Sequence, residues 1–260
     1  MATTSYVPAS LKPRLLVGDC LDLLTAIPDG SVNMVFADLP YGTTRNGWDS
    51  LIDLDLLWPQ LLRVAVPNAP LVMTAQMPFT AVLTVSNLPM FRHHWIWEKT
   101  HATGHLNAKR APMKAHEDII VFSSKAPNYF PQKTTGHARK VSSAESQGAT
   151  RGSSNWGVFE PHSYDSTERY PRSVQVFASD KQKKALHPTQ KPLALMEYLI
   201  RTYSAEGDLV LDPSAGSATT GVAAFNTGRR SVLMEKNADI AVTAQRRLEE
   251  LVGSHGGLDL

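Results

Sequence analysis

Four short apolar runs in this chain each stop at an acid: LLVG at Asp19, VNMVFA at Asp38, LVL at Asp212 and SVLM at Glu235. Runs of this length, apolar without alternation, suit strands buried on both faces, as parallel strands are. Two more, Leu71–Thr74 and Asp118–Phe122, read as buried parallel strands of the same kind. Helical patterns lie between many of them. These are Cys20–Ala26, Leu51–Val66 interrupted by Pro59, Pro192–Tyr203, Thr219–Asn226 and Ala238–Leu251. The alternation predicts an α/β fold with a doubly wound parallel sheet. In such sheets ligands bind outside the carboxyl ends of the strands. A helix N-cap explains any single acid after a strand about as well. Four together predict one acid-lined crevice at one edge of the sheet.

The loop after the third of these acids is Asp212-Pro213-Ser214-Ala215-Gly216-Ser217-Ala218-Thr219-Thr220, which joins a strand to a helix. Small residues let the backbone pass close to a ligand. The helix N-terminus offers free N–H groups and positive potential. Glu235 follows Gly216 by 19 residues at the end of the next strand, where an acid can grip ribose hydroxyls. A nucleoside cofactor fits this arrangement. The loop lacks G-x-G-x-x-G, which counts against a nicotinamide dinucleotide.

Asp38-Leu39-Pro40-Tyr41 follows the second run. Alkylating an amino group on a nucleobase requires drawing its lone pair out of the ring. Acceptors on the two N–H groups do this: the Asp38 carboxylate, and a backbone carbonyl of Leu39 or Pro40. Both also stabilise the positive charge that develops on nitrogen. Tyr41 offers a flat face to a base that has left its stack. The chemistry needs no metal, and no Cys/His spacing suggests zinc.

In this order the motifs resemble the permuted, or β-group, amino-methyltransferases of DNA, in which a D-P-P-Y type motif precedes the Gly-rich loop. Gly18-Asp19, Trp97-Glu98-Lys99, His116-Glu117-Asp118-Ile119-Ile120-Val121-Phe122 and His187-Pro188-Thr189-Gln190-Lys191-Pro192 match further family segments. The resemblance spans roughly residues 14–122 and 185–250. It implies a Rossmann-like sheet and S-adenosylmethionine (SAM) as cofactor, with S-adenosylhomocysteine as product. It also implies catalysis by Asp38, Leu39, Pro40 and Tyr41. The cofactor residues are Asp19, Cys20, Asp38, His187, Thr189, Lys191, Asp212, Ser214, Gly216, Ser217, Thr219 and Glu235. Of these, Asp19 belongs near the cofactor's adenine and the His187–Pro192 stretch near its methionine end. Aspartate at the first motif position resembles the adenine-N6 group, cytosine-N4 enzymes more often carrying serine. Leu39 replaces the usual first proline, Ser214 a frequent phenylalanine and Ala218 a frequent glycine.

Charge adds to this. Residues 99–191 carry 15 Lys/Arg against 7 Asp/Glu, a net of +8, while the rest of the chain has a net of −6. A basic middle on an acidic frame suggests a polyanionic partner. Ser123–Leu186 shows little periodicity and holds scattered aromatics at Tyr129, Phe130, Trp156, Phe159 and Tyr164. By position it is the target-recognition insertion, residues 123–186, within a catalytic and cofactor-binding domain of 1–122 and 187–260. His93 and His94 lie in an aromatic stretch, Phe91–Trp97, that reads as core or strand packing.

The expected function is methyl transfer to the N6 amine of an adenine flipped out of double-stranded DNA. A cytosine-N4 enzyme, RNA or protein-glutamine substrates, and a DNA-binding module with a decayed site are the alternatives. The single cysteine, Cys20, excludes a disulfide framework and fits a reducing compartment; its ordinary role is that of a small buried residue. No run approaches a signal peptide or the ~18 apolar residues of a membrane helix. The expectation is a cytoplasmic protein with no membrane partner, as monomer or homodimer.

Overall fold

A computed structural model describes residues 8–42, 51–145, 162–179 and 191–254. Two compact units form, one from Met1–Phe130 with Ser173–Leu260 and one from Pro131–Arg172. The larger unit is built on an eight-stranded sheet. In chain order its strands are β1 (Arg14–Val17), β2 (Met34–Ala37), β3 (Leu71–Ala75), β4 (Phe91–Thr103), β5 (Lys114–Phe122), β8 (Val174–Phe177), β9 (Leu209–Asp212) and β10 (Arg230–Glu235). Two strands of the smaller unit, β6 (Lys140–Ser142) and β7 (Tyr164–Ser166), complete the numbering and form an antiparallel pair.

The spatial order is β1-β10-β9-β2-β3-β5-β4-β8. From β1 through β3 every pairing is parallel. The strand read from Asp118–Phe122 is a correction. β5 is antiparallel to both β3 and β4, with Ala75 opposite Asp118 and Trp95 opposite Ile119. Its apolar run is real, but burial on two faces dictates hydrophobicity and not direction. β4, with its polar-aromatic alternation, and β8, inside the stretch read as aperiodic, extend the sheet beyond the doubly wound core.

Helices cover both faces because successive strand residues point to opposite sides. On β2, Val35 and Ala37 face a core shared with α1 (Cys20–Leu24), α2 (Leu54–Val64) and α3 (Phe79–Ser86). Met34 and Phe36 face a second core filled by α4 (Leu193–Tyr203) and α5 (Thr219–Asn226). A third cluster joins α5 and β10 to α6 (Ala238–Ser254) through Val222, Leu233, Ala244 and Leu248. Helix α2 starts where Asp53 accepts hydrogen bonds from Asp55 N and Leu56 N. It runs through Pro59 instead of breaking there. One ladder bond is lost, while Leu57, Trp58, Leu61 and Val64 are buried. Each such side chain contributes roughly 1.5–3 kcal/mol, enough to outweigh a proline penalty of about 3 kcal/mol. His93 and Trp95 of β4 both bond the Tyr203 hydroxyl, at 2.7 and 2.6 Å, so the Phe91–Trp97 stretch packs as a strand. No described helix is long and apolar enough to cross a membrane.

Candidate active site

The four strand-end acids fall on four neighbouring strands. In spatial order they are Asp19 after β1, Glu235 at the end of β10, Asp212 at the end of β9 and Asp38 after β2. All four line one cavity of about 720 Å³. Leu39, Pro40, Tyr41, Cys20, Lys191, Ser214, Gly216, Ser217 and Thr219 line it as well. His187 and Thr189 lie outside the described residues.

Asp38 is held by three donors. Its Oδ1 accepts from Tyr41 Oη at 2.9 Å and Thr74 Oγ1 at 2.5 Å, and its Oδ2 meets Lys191 Nζ at 2.8 Å. A carboxylate offers about four lone-pair sites, so one remains for an incoming N–H. The side chain keeps 25% of its surface exposed toward the cavity that it lines. Tyr41 is fixed from behind by Phe79, the rings stacked 5.3 Å apart at 24°. Leu39 is 2% exposed and packs into the core under β2, so where the family has a rigid proline this chain has a buried anchor.

Lys191 lies two residues before α4, and its Nζ also reaches Glu117 Oε2 at 3.1 Å. Glu117 in turn pairs with Lys99 Nζ at 2.6 Å. Burial opposes the Lys191 charge, but Asp38, Tyr41 and Glu117 outweigh it and lift its pKa well above the ordinary lysine value. Burial likewise works against the Glu117 charge, and Lys191 and Lys99 overcome it to lower the carboxyl's pKa. Lys99, Glu117, Lys191 and Asp38 thus form an alternating chain of basic and acidic groups from β4 to β2, buried at Glu117 and Lys191.

The loop after β9 is tied at both ends. Asp212 accepts from Ser214 N at 2.9 Å and from the Thr220 hydroxyl. Glu235 accepts from Gly216 N at 2.9 Å and Asn237 N at 2.8 Å. From α6, Arg247 Nη1 donates to the Ser217 carbonyl at 2.8 Å and to Thr219 Oγ1 at 2.9 Å. Ala218 has φ +61° in the left-handed region, which only glycine enters freely. The family's glycine at this place is therefore a backbone requirement that this chain meets with strain. Burial raises the Asp212 pKa to about 7, and Asp38 and Glu235 add to the rise against the Thr220 and Ser214 bonds. Asp19 caps α1 through Leu21 N at 2.9 Å and pairs with Lys236 at 2.9 Å, so the N-cap reading of this acid also holds. Its pKa is lowered by the Lys236 and Leu21 bonds. Cys20 is buried, its thiol pushed up to about 11 by burial, as suits a packing residue.

The donor set suits a nucleoside cofactor carrying positive charge. A cavity of this size falls within the range of small-molecule sites. Ser214 Oγ is buried with no hydrogen-bond partner among the described residues, an unused polar atom in the lining. Acids with free lone pairs at four strand ends can take hydroxyls and an ammonium group.

The chain belongs to the DNA methylase family, whose model matches residues 73–246. It is 29% identical over 257 residues to the DNA adenine methyltransferase YhdJ of Escherichia coli K12, covering 93% of this chain and 83% of that protein. The solved structure of the M1.HpyAVI–SAM complex superposes with a TM-score of 0.63 at 20% identity, covering 91% of this chain and 98% of the other. The cytosine-N4-specific PvuII DNA methyltransferase superposes with a TM-score of 0.62 at 15% identity, covering 92% and 91%. These two likenesses show the fold: a Rossmann-like methyltransferase sheet. The chain is thus a DNA methyltransferase by family.

Sequence reading missed Thr74 and Arg247, single polar residues with no motif around them, and gave Thr220, at the end of the loop after β9, no role of its own. Lys99 and Glu117 were within reach, since each stands in a family-like motif beside one other charged residue, Glu98 and Asp118 respectively.

Proposed function

We propose that this chain transfers the methyl group of SAM to the exocyclic N6 amine of an adenine flipped out of double-stranded DNA. The observation that carries the reading is the shared cavity. Asp38 with one acceptor site free lies in the same 720 Å³ space as the loop from Asp212 to Thr219 and as Glu235. Bound there, SAM supplies the electrophilic methyl group. Glu235 would hold its ribose, Asp19 and Cys20 would lie beside its adenine, and Asp212, Ser214, Gly216, Ser217 and Thr219 would cradle the remainder with His187, Thr189 and Lys191.

Asp38 accepts one amine N–H and a carbonyl of Leu39 or Pro40 the other, which pulls the nitrogen lone pair toward the cofactor. Three donors already fix the carboxylate, so little reorganisation accompanies the reaction. Lys191 is read here as a positioning residue for Asp38 as much as a cofactor neighbour. Tyr41, held by Phe79 and by its own hydroxyl bond, presents a ring already in place for the base. The adenine assignment rests on aspartate at the first motif position and on the likeness to a DNA adenine methyltransferase. Residues 123–186 supply target recognition in this reading. Of these, 146–161 and 180–186 lie outside the described residues.

The test is methyl transfer to unmethylated genomic DNA followed by nucleoside mass spectrometry, with Asp38→Ala in parallel and SAM binding measured by calorimetry. N6-methyladenine from the wild type, none from the variant and SAM binding largely intact in the variant are expected. An N4-methylcytosine peak overturns the base. Turnover by Asp38→Ala overturns the mechanism.

A further inference from the structure

The register of the sheet places a second feature beside the cavity. β3 ends at Ala75, which lies opposite Asp118 of β5. β8 reaches along β4 only as far as Lys99. β4 and β5 go on pairing beyond both neighbours, to Thr103 opposite Lys114. Because β5 runs against β3, this overhang extends past the carboxyl end of β3, the edge on which the four acids lie. Its inner side reaches the cavity: His101, Thr103, Gly104, Asn107 and Lys114 line it, and Lys114 Nζ bonds Gln76 at 3.3 Å.

The overhang as a whole has a distinct chemistry. Between Lys99 and Glu117 there is no acid, while Lys109, Arg110, Lys114, His101, His105 and His116 all fall in this span. Every residue from Thr103 to His116 is exposed. At the tip, a 3-10 turn spans His105–Asn107, and Leu106 in its middle is 89% exposed, more than any other large hydrophobic residue described. A leucine held out to solvent on a cationic turn gains nothing for the fold. Removing it from water needs a partner that is both anionic and able to admit an apolar side chain. A DNA duplex with one base extruded is such a partner, since its phosphates attract the cations and the gap in its stack accepts an apolar wedge.

We propose that the β4–β5 tip docks on the duplex, Lys109 and Arg110 on phosphates and Leu106 in the stack beside the extruded nucleotide. This deepens the methyltransferase reading, on which it rests, and it assigns DNA contact to an element outside residues 123–186. The two roles separate in the same protein. Loss of phosphate contacts weakens binding at all sequences and flattens its salt dependence. Loss of the wedge acts after docking.

The experiment compares wild type, Lys109→Gln/Arg110→Gln and Leu106→Ala, all with SAM affinity measured to establish that the cavity is intact. Binding of a fluorescent random-sequence duplex is followed against salt, and kcat and KM are measured on unmethylated genomic DNA. The double variant is expected to lower the slope of log K on log salt by about 2. Leu106→Ala is expected to leave that binding unchanged and to lower kcat roughly tenfold. An unchanged slope in the double variant overturns the docking, and an unchanged kcat in Leu106→Ala overturns the wedge. Tighter competition by a structured RNA than by duplex DNA also overturns the proposal. Absence of methyl transfer by the wild type removes the methyltransferase reading instead, and the salt slope still decides whether the hairpin binds DNA.

Discussion

Asp212→Asn should make this protein more stable above neutral pH. Asp212 is 2% exposed and burial lifts its pKa from 3.8 to about 7. A carboxyl whose folded pKa is raised binds its proton more tightly in the folded state. Its contribution to stability is therefore full below the unfolded value of 3.8, declines as pH rises through the window from about 4 to 7, and is gone above that. A shift of this size corresponds to roughly 4 kcal/mol between the two limits. Between pH 5 and pH 9 the part that remains to be lost is roughly 2–3 kcal/mol. Asparagine has nearly the same shape. Its Oδ1 can accept from Ser214 N, and its amide can donate to Thr220 once that hydroxyl turns, so the local bonds survive without the buried charge. Urea unfolding of both proteins at pH 5 and pH 9 is the assay. The difference in unfolding free energy should move toward the variant by 2–3 kcal/mol across that range, and the variant should be the more stable at pH 9. Parallel pH profiles for the two proteins would refute the argument, because they would mean that the Asp212 charge is not penalised by its surroundings.

Three further outcomes follow from the same geometry. Glu235→Ala removes the acceptor for Gly216 N and the proposed ribose ligand, so SAM affinity should fall about tenfold or more in calorimetry. Gly221 sits on α5 where an added Cβ would lie 2.5 Å from Leu233 Cδ1. Gly221→Ala should therefore destabilise the protein by about 1–3 kcal/mol in urea, despite alanine's better helix propensity. Lys191→Met leaves Asp38 without its cation and Glu117 with Lys99 alone. It should cost about 3 kcal/mol of stability and lower kcat more than SAM affinity, measured by urea unfolding and steady-state kinetics.

Much of the sheet could be read from the chain, because strands buried on both faces leave dense apolar runs and because each of the four ended at an acid. Their assembly into one cavity followed from strand adjacency that no local pattern states; β1 and β2 lie on either side of β9 and β10, which come from the other end of the sequence. Direction was not legible. Ile119–Phe122 is as apolar as the parallel strands, and only pairing distinguishes it. The ionic chain was half legible: Lys99, Glu117 and Lys191 stand in three separate motifs, but nothing in a linear sequence says that their charged ends meet. The hairpin tip was lost in averaging, since its cations counted toward a basic middle whose centre was placed further along. Ala218 was visible as a departure from glycine, whereas its positive φ was not.

The interleaved sheet also has a history in each molecule. β1 pairs with β10, whose first residue is Arg230, while β1 begins at Arg14. β2 takes β9 as one of its two neighbours. On a ribosome adding about 5–20 residues per second, the first strand waits on the order of ten to forty seconds for its partner to be made. Throughout that interval β2 and β3, apolar on both faces, have one flank without a strand and no α4 or α5 above them. Nascent chains of this protein therefore pass through a prolonged aggregation-prone stage. Holdase chaperones in excess, which cover apolar strands during that interval, should raise the soluble yield.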